Sequence, residues 1–422
     1  MNVTELFGVE LAGHLDRCLA RARRIGSTVA VLGCTTAEAD PETMATLTSV
    51  LTGSVRGSDL VATRLDGSQV LLVLDDLESA DEALAVATRL RHSASSELAA
   101  AHGSLTCAYA LATNDDRDLT SATLIEHLLD TLAGATHHGS GSLEVYEDQR
   151  RSSYEKRPDR EAELRHALVN EEITARYQPI IDLGTKQLVG VEALARWTSP
   201  TYGVVRPADF LPVARGCGLM HELGEQMLIQ AVTELARWQR ARPGQPFSMH
   251  VNLSGHELRE RNLAAVISYL CKAAGADPTG LVVDVEESTI MSQTDHVLPS
   301  LEAIRALGAR VSIDDFGTGQ SSIAALHRLP VDLVKIHGSF VAGVAAPVNE
   351  AGIVHAVVQL ASALGLGVIA ESVETVEQAE ALVALGCPLA QGFLFGPAMR
   401  IERVENLAAT LAEQAASARL AG

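Results

Sequence analysis

The chain has 422 residues, 47% of them hydrophobic and 20% charged, with a formal net charge of −20. Domains usually span about 100–200 residues, so two globular domains are the natural reading. So acidic a chain lacks the basic footprint of a general nucleic-acid or anionic-membrane binder, which leaves room for a small anionic ligand held by a metal and a few local cations.

Residues 5–24 carry an amphipathic helical pattern ending in Arg21, Arg23 and Arg24. Residues 27–34 read as a strand and 41–55 as a helix. Residues 59–65 and 69–76 read as two strands around a tight turn at Asp66-Gly67, which is a hairpin signal. A helix over 80–92, a strand over 104–112, a helix over 121–133 and a strand over 143–147 complete a small α/β domain spanning 1–150. Residues 151–163 are highly charged and nearly free of bulky apolar side chains, as expected of a linker turning into a helix.

The remainder, 164–410, is more regular. Apolar runs recur at 174–183, 188–197, 247–254, 281–288, 310–317, 333–338, 366–373 and 389–395. Helical stretches fall at 223–240, 257–274, 297–307, 321–329, 350–364 and 376–385. Eight strands with interleaved helices predict a (β/α)8, TIM-like barrel. The short segment 183–187 between the first two strands has room only for a turn. Those strands must form a hairpin, so the first strand is expected to run antiparallel to the others.

No apolar run reaches the roughly 18 residues of a membrane span, and Met1 to Asp16 has no signal-peptide pattern. The six cysteines are scattered without a CxxC pair, which reads as free thiols in a reducing cytoplasm.

In such barrels the chemistry sits at the C-terminal strand ends. There the chain places Glu192, Asn252, Asp284, Glu287, Asp314, Asp315, Lys335, Glu371 and Gln391. Any one carboxylate at a strand end is ordinarily a loop cap or ion-pair partner. Five or six converging carboxylates are costly unless a cation neutralises them. The donors are nearly all oxygens, His337 excepted, and this suits Mg2+ or Mn2+ over zinc or copper. Lys335 is placed to hold a water or a developing negative charge. The glycines at 317–322 and 365–367 complete neither a G-x-G-x-x-G nor a Walker pattern, so no phosphate loop is read there.

The motifs resemble one family. EALARW (192–197), QPIIDL (178–183), VNLS (251–254), DDFGTGQSS (314–322), LPVDLVKIHGSFV (329–341), VIAESVET (368–375) and LGCPLAQGFLFGPAM (385–399) are similar, in order, to EAL-type cyclic-di-GMP phosphodiesterases. The resemblance runs from about Glu161 to Arg400. It implies metal-dependent hydrolysis of cyclic di-GMP to pGpG with Mg2+ or Mn2+. It also implies metal ligands at Glu192, Asn252, Asp284 and Asp314, with Asp315 and Glu371 serving the second metal or the water. Lys335 would position the nucleophilic water, with Glu192 and Glu371 beside it in the catalytic set. Gln178, Arg196 and Gln391 would contact substrate or order the site. Glu287 would anchor the loop after Asp315, which couples a homodimer of the barrel domain to activity.

There are departures. Asp284-Val-Glu-Glu287 stands where the family has Glu-x-x-Glu, one methylene shorter against a Mg–oxygen distance of about 2.0–2.1 Å. Lengthening Asp284 to Glu is then expected to raise turnover or metal affinity. His337 replaces the aspartate of Lys-Ile-Asp. Ser372 stands where glycine is usual, Gln320 where tyrosine is usual and Arg215 where glutamate is common. These leave two alternatives open, a cyclic-di-GMP receptor without turnover and a protein–protein scaffold.

The N-terminal domain resembles, in layout, a GGDEF diguanylate cyclase domain of the cyclase-palm type. Leu65 to Gln69 occupies the signature hairpin, and residues 31–36 lack the metal-binding aspartate, so cyclase activity is not expected. Arg56-Gly-Ser-Asp59 matches an RxxD pattern but reads as a plain Arg/Asp pair at a strand start. This degenerate domain is expected to regulate or dimerise. A signal would enter through it, through the dimer interface or through an unidentified regulatory protein.

Overall fold

In a computed structural model, the described residues are those outside 1–6, 37–40, 103–106, 114–118, 139–142, 147–158, 318–325 and 346–349, and outside positions 8, 26, 57, 79, 202, 260–261, 293, 327 and 422. The chain divides into two compact units, 1–153 and 154–422.

The first unit is built from α1 (Val9–Ile25), β1 (Thr28–Thr36), α2 (Pro41–Ser54), β2 (Leu60–Thr63), β3 (Val70–Leu77), α3 (Ala80–His102), β4 (Cys107–Thr113), α4 (Ser121–His138) and β5 (Leu143–Val145). The sheet order is β2-β3-β1-β4-β5, antiparallel except for β4 and β5. Alternation along β1 explains the layers. Val29 and Val31 face a core shared with α1 and α4. Ala30 and Leu32 face a second core shared with α2 and α3. The expected hairpin forms, and the Asp66 carboxylate accepts from the Ser68 N–H at 2.9 Å to fix its turn.

Three expectations for this unit need correction. The helix from Ala80 runs to His102 and the helix from Ser121 to His138, both past the ends read from the apolar pattern. The Arg56 side chain pairs with Glu82 at 3.6 Å, not with Asp59. Asp59 instead accepts from the backbone N–H groups of Arg56 and Asp75.

The second unit opens with α5 (Arg160–Val169) and the hairpin β6 (Ile173–Asp182) and β7 (Gln187–Ser199). There follow β8 (Gly203–Val205), α6 (Pro207–Gly216), α7 (Met220–Ala241), β9 (Ser248–Asn252), α8 (Gly255–Leu258), α9 (Leu263–Ala274) and β10 (Leu281–Glu286). Next come α10 (Glu287–Ser292), α11 (Thr294–Ala306), β11 (Arg310–Phe316), β12 (Leu333–Ile336), α12 (Gly338–Val341), α13 (Glu350–Leu364), β13 (Gly367–Ala370), α14 (Val376–Ala384), β14 (Leu389–Gln391) and α15 (Ile401–Ala421).

The order β6-β14-β13-β12-β11-β10-β9-β7 closes on itself through β6 and β7, giving the expected eight-stranded barrel. Strand β6 is antiparallel to both neighbours, as the short 183–187 turn requires. The stretch read as a helix over 257–274 is two helices, α8 and α9. Most of the helix expected over 321–329 lies outside the described residues.

The barrel interior changes character along its axis. Ile180, Val282, Leu333 and Ile369 fill one end as an apolar plug. Two residues further along lie Asp284 and Lys335 on their strands and Glu371 just past the end of β13, so the period of two puts the polar side chains on the same inner face. Close strand packing shows at Gly190, where an added Cβ would lie 2.6 Å from the Ser248 carbonyl oxygen.

Candidate active site

Lys335 is the hub. Its ammonium is fully buried on β12, with Glu371 at 2.7 Å, Glu192 at 3.1 Å, Asp314 at 3.2 Å and Asp284 at 3.3 Å. These carboxylates arrive from β7, β10, β11 and the end of β13. Four carboxylates against one ammonium would leave a formal charge of −3 in a water-poor pocket. Such an excess is strongly unfavourable unless protons or cations compensate.

The titration of the cluster reflects that conflict. Burial, reinforced by Glu192, Asp284 and Asp315 against the pull of Lys335, pushes the Asp314 carboxyl up to about 6. Burial together with Asp314 and Glu192 pushes Glu371 up to about 8. Burial opposes the charged form of Lys335, but the four carboxylates outweigh it and hold the ammonium well above its ordinary range. Burial would also raise Asp284, yet Lys335 and His250 outweigh it and hold this carboxyl below its usual value.

Amides order the rim. Asn252 donates to Glu192 Oε1 at 2.6 Å, which leaves its amide oxygen as the atom available to a metal. Gln391 donates to Glu192 Oε2 at 2.7 Å and to Gln178 Oε1 at 2.9 Å, and Gln178 donates to the Gly396 carbonyl at 3.3 Å. A cavity of about 240 Å3 opens here, lined by Gln178, Glu192, Glu371, Gln391 and Phe393 among others. Arg196 lies on the same face of β7 but outside that lining, and donates to the Ala195 carbonyl at 2.9 Å.

Asp314, Asp315 and Glu371 offer a second constellation, with one carboxylate oxygen from each lying within 4.8 Å of the others. Asp315 adopts a left-handed backbone with φ of 56°, a conformation that Asp tolerates better than most residues. Buried Glu287, at the start of α10, accepts from the Gly317 N–H at 2.7 Å, tying down the chain just after the Asp pair. His337 Nε2 stands 3.8 Å from Asp315, while its Nδ1 accepts from the Ser339 N–H. Ser372 also sits at positive φ, 55°, which accounts for glycine being the easier residue at that position.

The donor set fits divalent metal. The Asp284 Oδ2 atom is buried without a hydrogen-bond partner, and its Lys335 contact at 3.3 Å is an ion pair only. That lone-pair atom points into the same cluster as Glu192 and Asp314. The donors are carboxylate and amide oxygens, the chemistry of Mg2+ or Mn2+ sites. Asp284 reaches the cluster despite its shorter side chain.

One residue escaped the sequence reading. His250, on β9 and 1% exposed, has Nδ1 3.0 Å from Asp284 Oδ1. The ionised carboxylate only accepts, so Nδ1 carries the hydrogen. Its signal was its spacing, two residues before Asn252 and therefore on the same inward face.

The EAL domain family model matches residues 161–398. The chain belongs to the EAL domain family. It is 32% identical over 352 residues to the bifunctional diguanylate cyclase/cyclic di-GMP phosphodiesterase MucR of Pseudomonas aeruginosa, covering 83% of this chain and 51% of that protein. It is 34% identical over 233 residues to the probable cyclic di-GMP phosphodiesterase PdeI of Escherichia coli, covering 55% of this chain and 30% of that one. A solved structure of the MucR phosphodiesterase in complex with c-di-GMP superposes with a TM-score of 0.55 at 37% identity, covering 58% of this chain and 98% of that one. The chain spans about half or less of the length of these two curated relatives. Among the described residues no helix is long and apolar enough to cross a membrane.

Proposed function

We propose that this EAL barrel hydrolyses one phosphodiester of cyclic di-GMP to give linear pGpG. The observation that carries the reading is the buried cluster of Glu192, Asp284, Asp314 and Glu371 around Lys335, whose excess negative charge and oxygen donors call for divalent cations beside a phosphate. Family membership and the names of its relatives point the same way.

Glu192, Asn252, Asp284 and Asp314 would hold one ion, and Asp314, Asp315 and Glu371 a second. Mg2+ or Mn2+ bound there would acidify a water and neutralise phosphoryl oxygens. Lys335 holds the attacking water by hydrogen bonding and offsets charge developing on the phosphate. Glu371, the carboxylate closest to Lys335, is the group placed to take the water's proton. Water adds at phosphorus, the bond to O3′ breaks, the proton passed to Glu371 is returned to the departing O3′ as a hydroxyl, and the 5′-phosphate of pGpG remains. Gln391 and Gln178 fix the orientation of Glu192 and line the substrate cavity. Arg196 contributes to substrate at its outer edge.

The N-terminal unit serves as a degenerate GGDEF-like domain without cyclase activity, in a regulatory or dimerising role. The barrel forms a homodimer, with Glu287 coupling that contact to the segment after Asp315. The protein acts in the cytoplasm, and an unidentified regulatory protein supplies an input.

A second reading, a receptor that binds cyclic di-GMP without turnover, draws on His337 beside Asp315. Purified protein incubated with cyclic di-GMP and Mn2+, then chromatographed, separates the two. Accumulating pGpG that disappears with chelator supports hydrolysis. Binding without product supports the receptor.

A further inference from the structure

We infer that His250 is a positioning residue that makes the short Asp284 side chain a workable metal ligand, and that the two form a matched pair. The inference rests on the reading of Asp284 as a ligand. In the parallel β9–β10 register Asn252 lies opposite Asp284 and His250 lies opposite Val282, one inward step deeper. His250 is also opposite Glu192 on β7. The imidazole is therefore level with Glu192 and one inward step below Asp284, which it meets from beneath.

Two facts give that contact a direction. The 3.0 Å bond occupies Oδ1, and Oδ2 is left without a hydrogen-bond partner, aimed at Lys335. An aspartate carboxyl turns easily about its last torsion. Locked by His250, it presents one defined oxygen to the cluster. A carboxyl held by a second group is the usual way a protein orients a ligand, and removing such a partner typically costs ~10- to 100-fold in metal affinity.

The pair is also shut off from solvent. His250 and Asp284 are each 1% exposed, so a longer side chain at 284 has to be taken up inside the cluster, between the imidazole and the metal position. This reverses the expectation drawn from the sequence: Asp284→Glu alone drives the carboxylate into the imidazole or past the metal position and weakens the site. The longer residue becomes acceptable once the imidazole is removed.

The test is calorimetric titration of Mn2+ into the full chain, without substrate, with circular dichroism as the folding control. His250→Leu is expected to lose ~10- to 100-fold in Mn2+ affinity. His250→Asn, whose amide N–H takes the place of Nδ1–H, stays near wild type. His250→Ala with Asp284→Glu binds more tightly than either single variant. A folded His250→Leu with wild-type affinity overturns the inference, as does equal loss in the Leu and Asn variants. Should the Leu variant fail to fold, the Asn variant and the double variant decide it. Wild-type protein that binds no Mn2+ overturns the metal reading itself, and this inference with it; wild-type binding that is indifferent to His250 overturns the inference alone.

Discussion

Glu257→Gln is expected to make the barrel more stable at neutral and alkaline pH and to leave it unchanged at low pH. Glu257 is 3% exposed, closing a capping box in which it accepts from the Ser254 N–H at 2.8 Å and Ser254 Oγ–H at 2.9 Å. Its other oxygen lies against Gly224 on α7. Burial pushes its carboxyl up to about 7 from 4.5, although the Ser254 bonds and His221 pull the other way. Below 4.5 both folded and unfolded states carry the proton, and the group contributes nothing to the pH dependence. Between 4.5 and about 7 the folded state holds the proton more tightly, so stability falls as pH rises, and above that range the full penalty applies. At about 1.36 kcal/mol per tenfold in proton affinity, the span amounts to about 3 kcal/mol. Glutamine keeps an acceptor for Ser254 and carries no charge. Both tryptophans, Trp197 and Trp238, lie in the second unit, so tryptophan fluorescence in urea reports this barrel's unfolding. The Gln-minus-Glu difference should grow from near zero at pH 4.5 to a few kcal/mol at pH 8. A difference that is flat with pH refutes the reasoning.

Lys335→Met removes the ammonium that contacts all four carboxylates and should destabilise the metal-free barrel by about 3–5 kcal/mol, read by urea unfolding in chelator. The same variant should lose hydrolysis. Ser372→Gly relieves a left-handed backbone and should stabilise by about 0.5–1 kcal/mol, after the entropy cost of glycine, in the same assay. A destabilised variant would show that the Ser372 side chain matters more than its backbone. Gly190→Ala places a Cβ against the Ser248 carbonyl oxygen and should prevent native barrel formation, seen as loss of the fluorescence transition.

The sequence exposes the barrel because buried parallel strands are apolar runs with polar ends, and the turn at 183–187 is too short for a crossover. Most of the candidate cluster is legible for the same reason: alternation of two places Asp284, Lys335 and Glu371 on the inner face. Helix ends are less visible. The α3 stretch from Ser93 to His102 carries Leu98 as its single bulky apolar residue among small and polar ones, and helix continues there without a periodic signal. Contacts between distant segments are not written locally at all. A lone histidine in SMHVN reads as core until β10 brings Asp284 to it, 34 residues away. Arg56 likewise finds Glu82 because α3 passes over it, and no spacing rule near Asp59 announces that.

The central claim is that the carboxylate cluster around Lys335 directs water onto a phosphodiester of cyclic di-GMP. Reaction in water enriched in the heavy oxygen isotope, with Mn2+ present, followed by mass spectrometry of the product, tests it most directly. The account predicts pGpG carrying one solvent oxygen in its 5′-phosphate, with none formed by Glu192→Gln or Lys335→Met. Cyclic di-GMP recovered intact from a folded, Mn2+-loaded protein would contradict it.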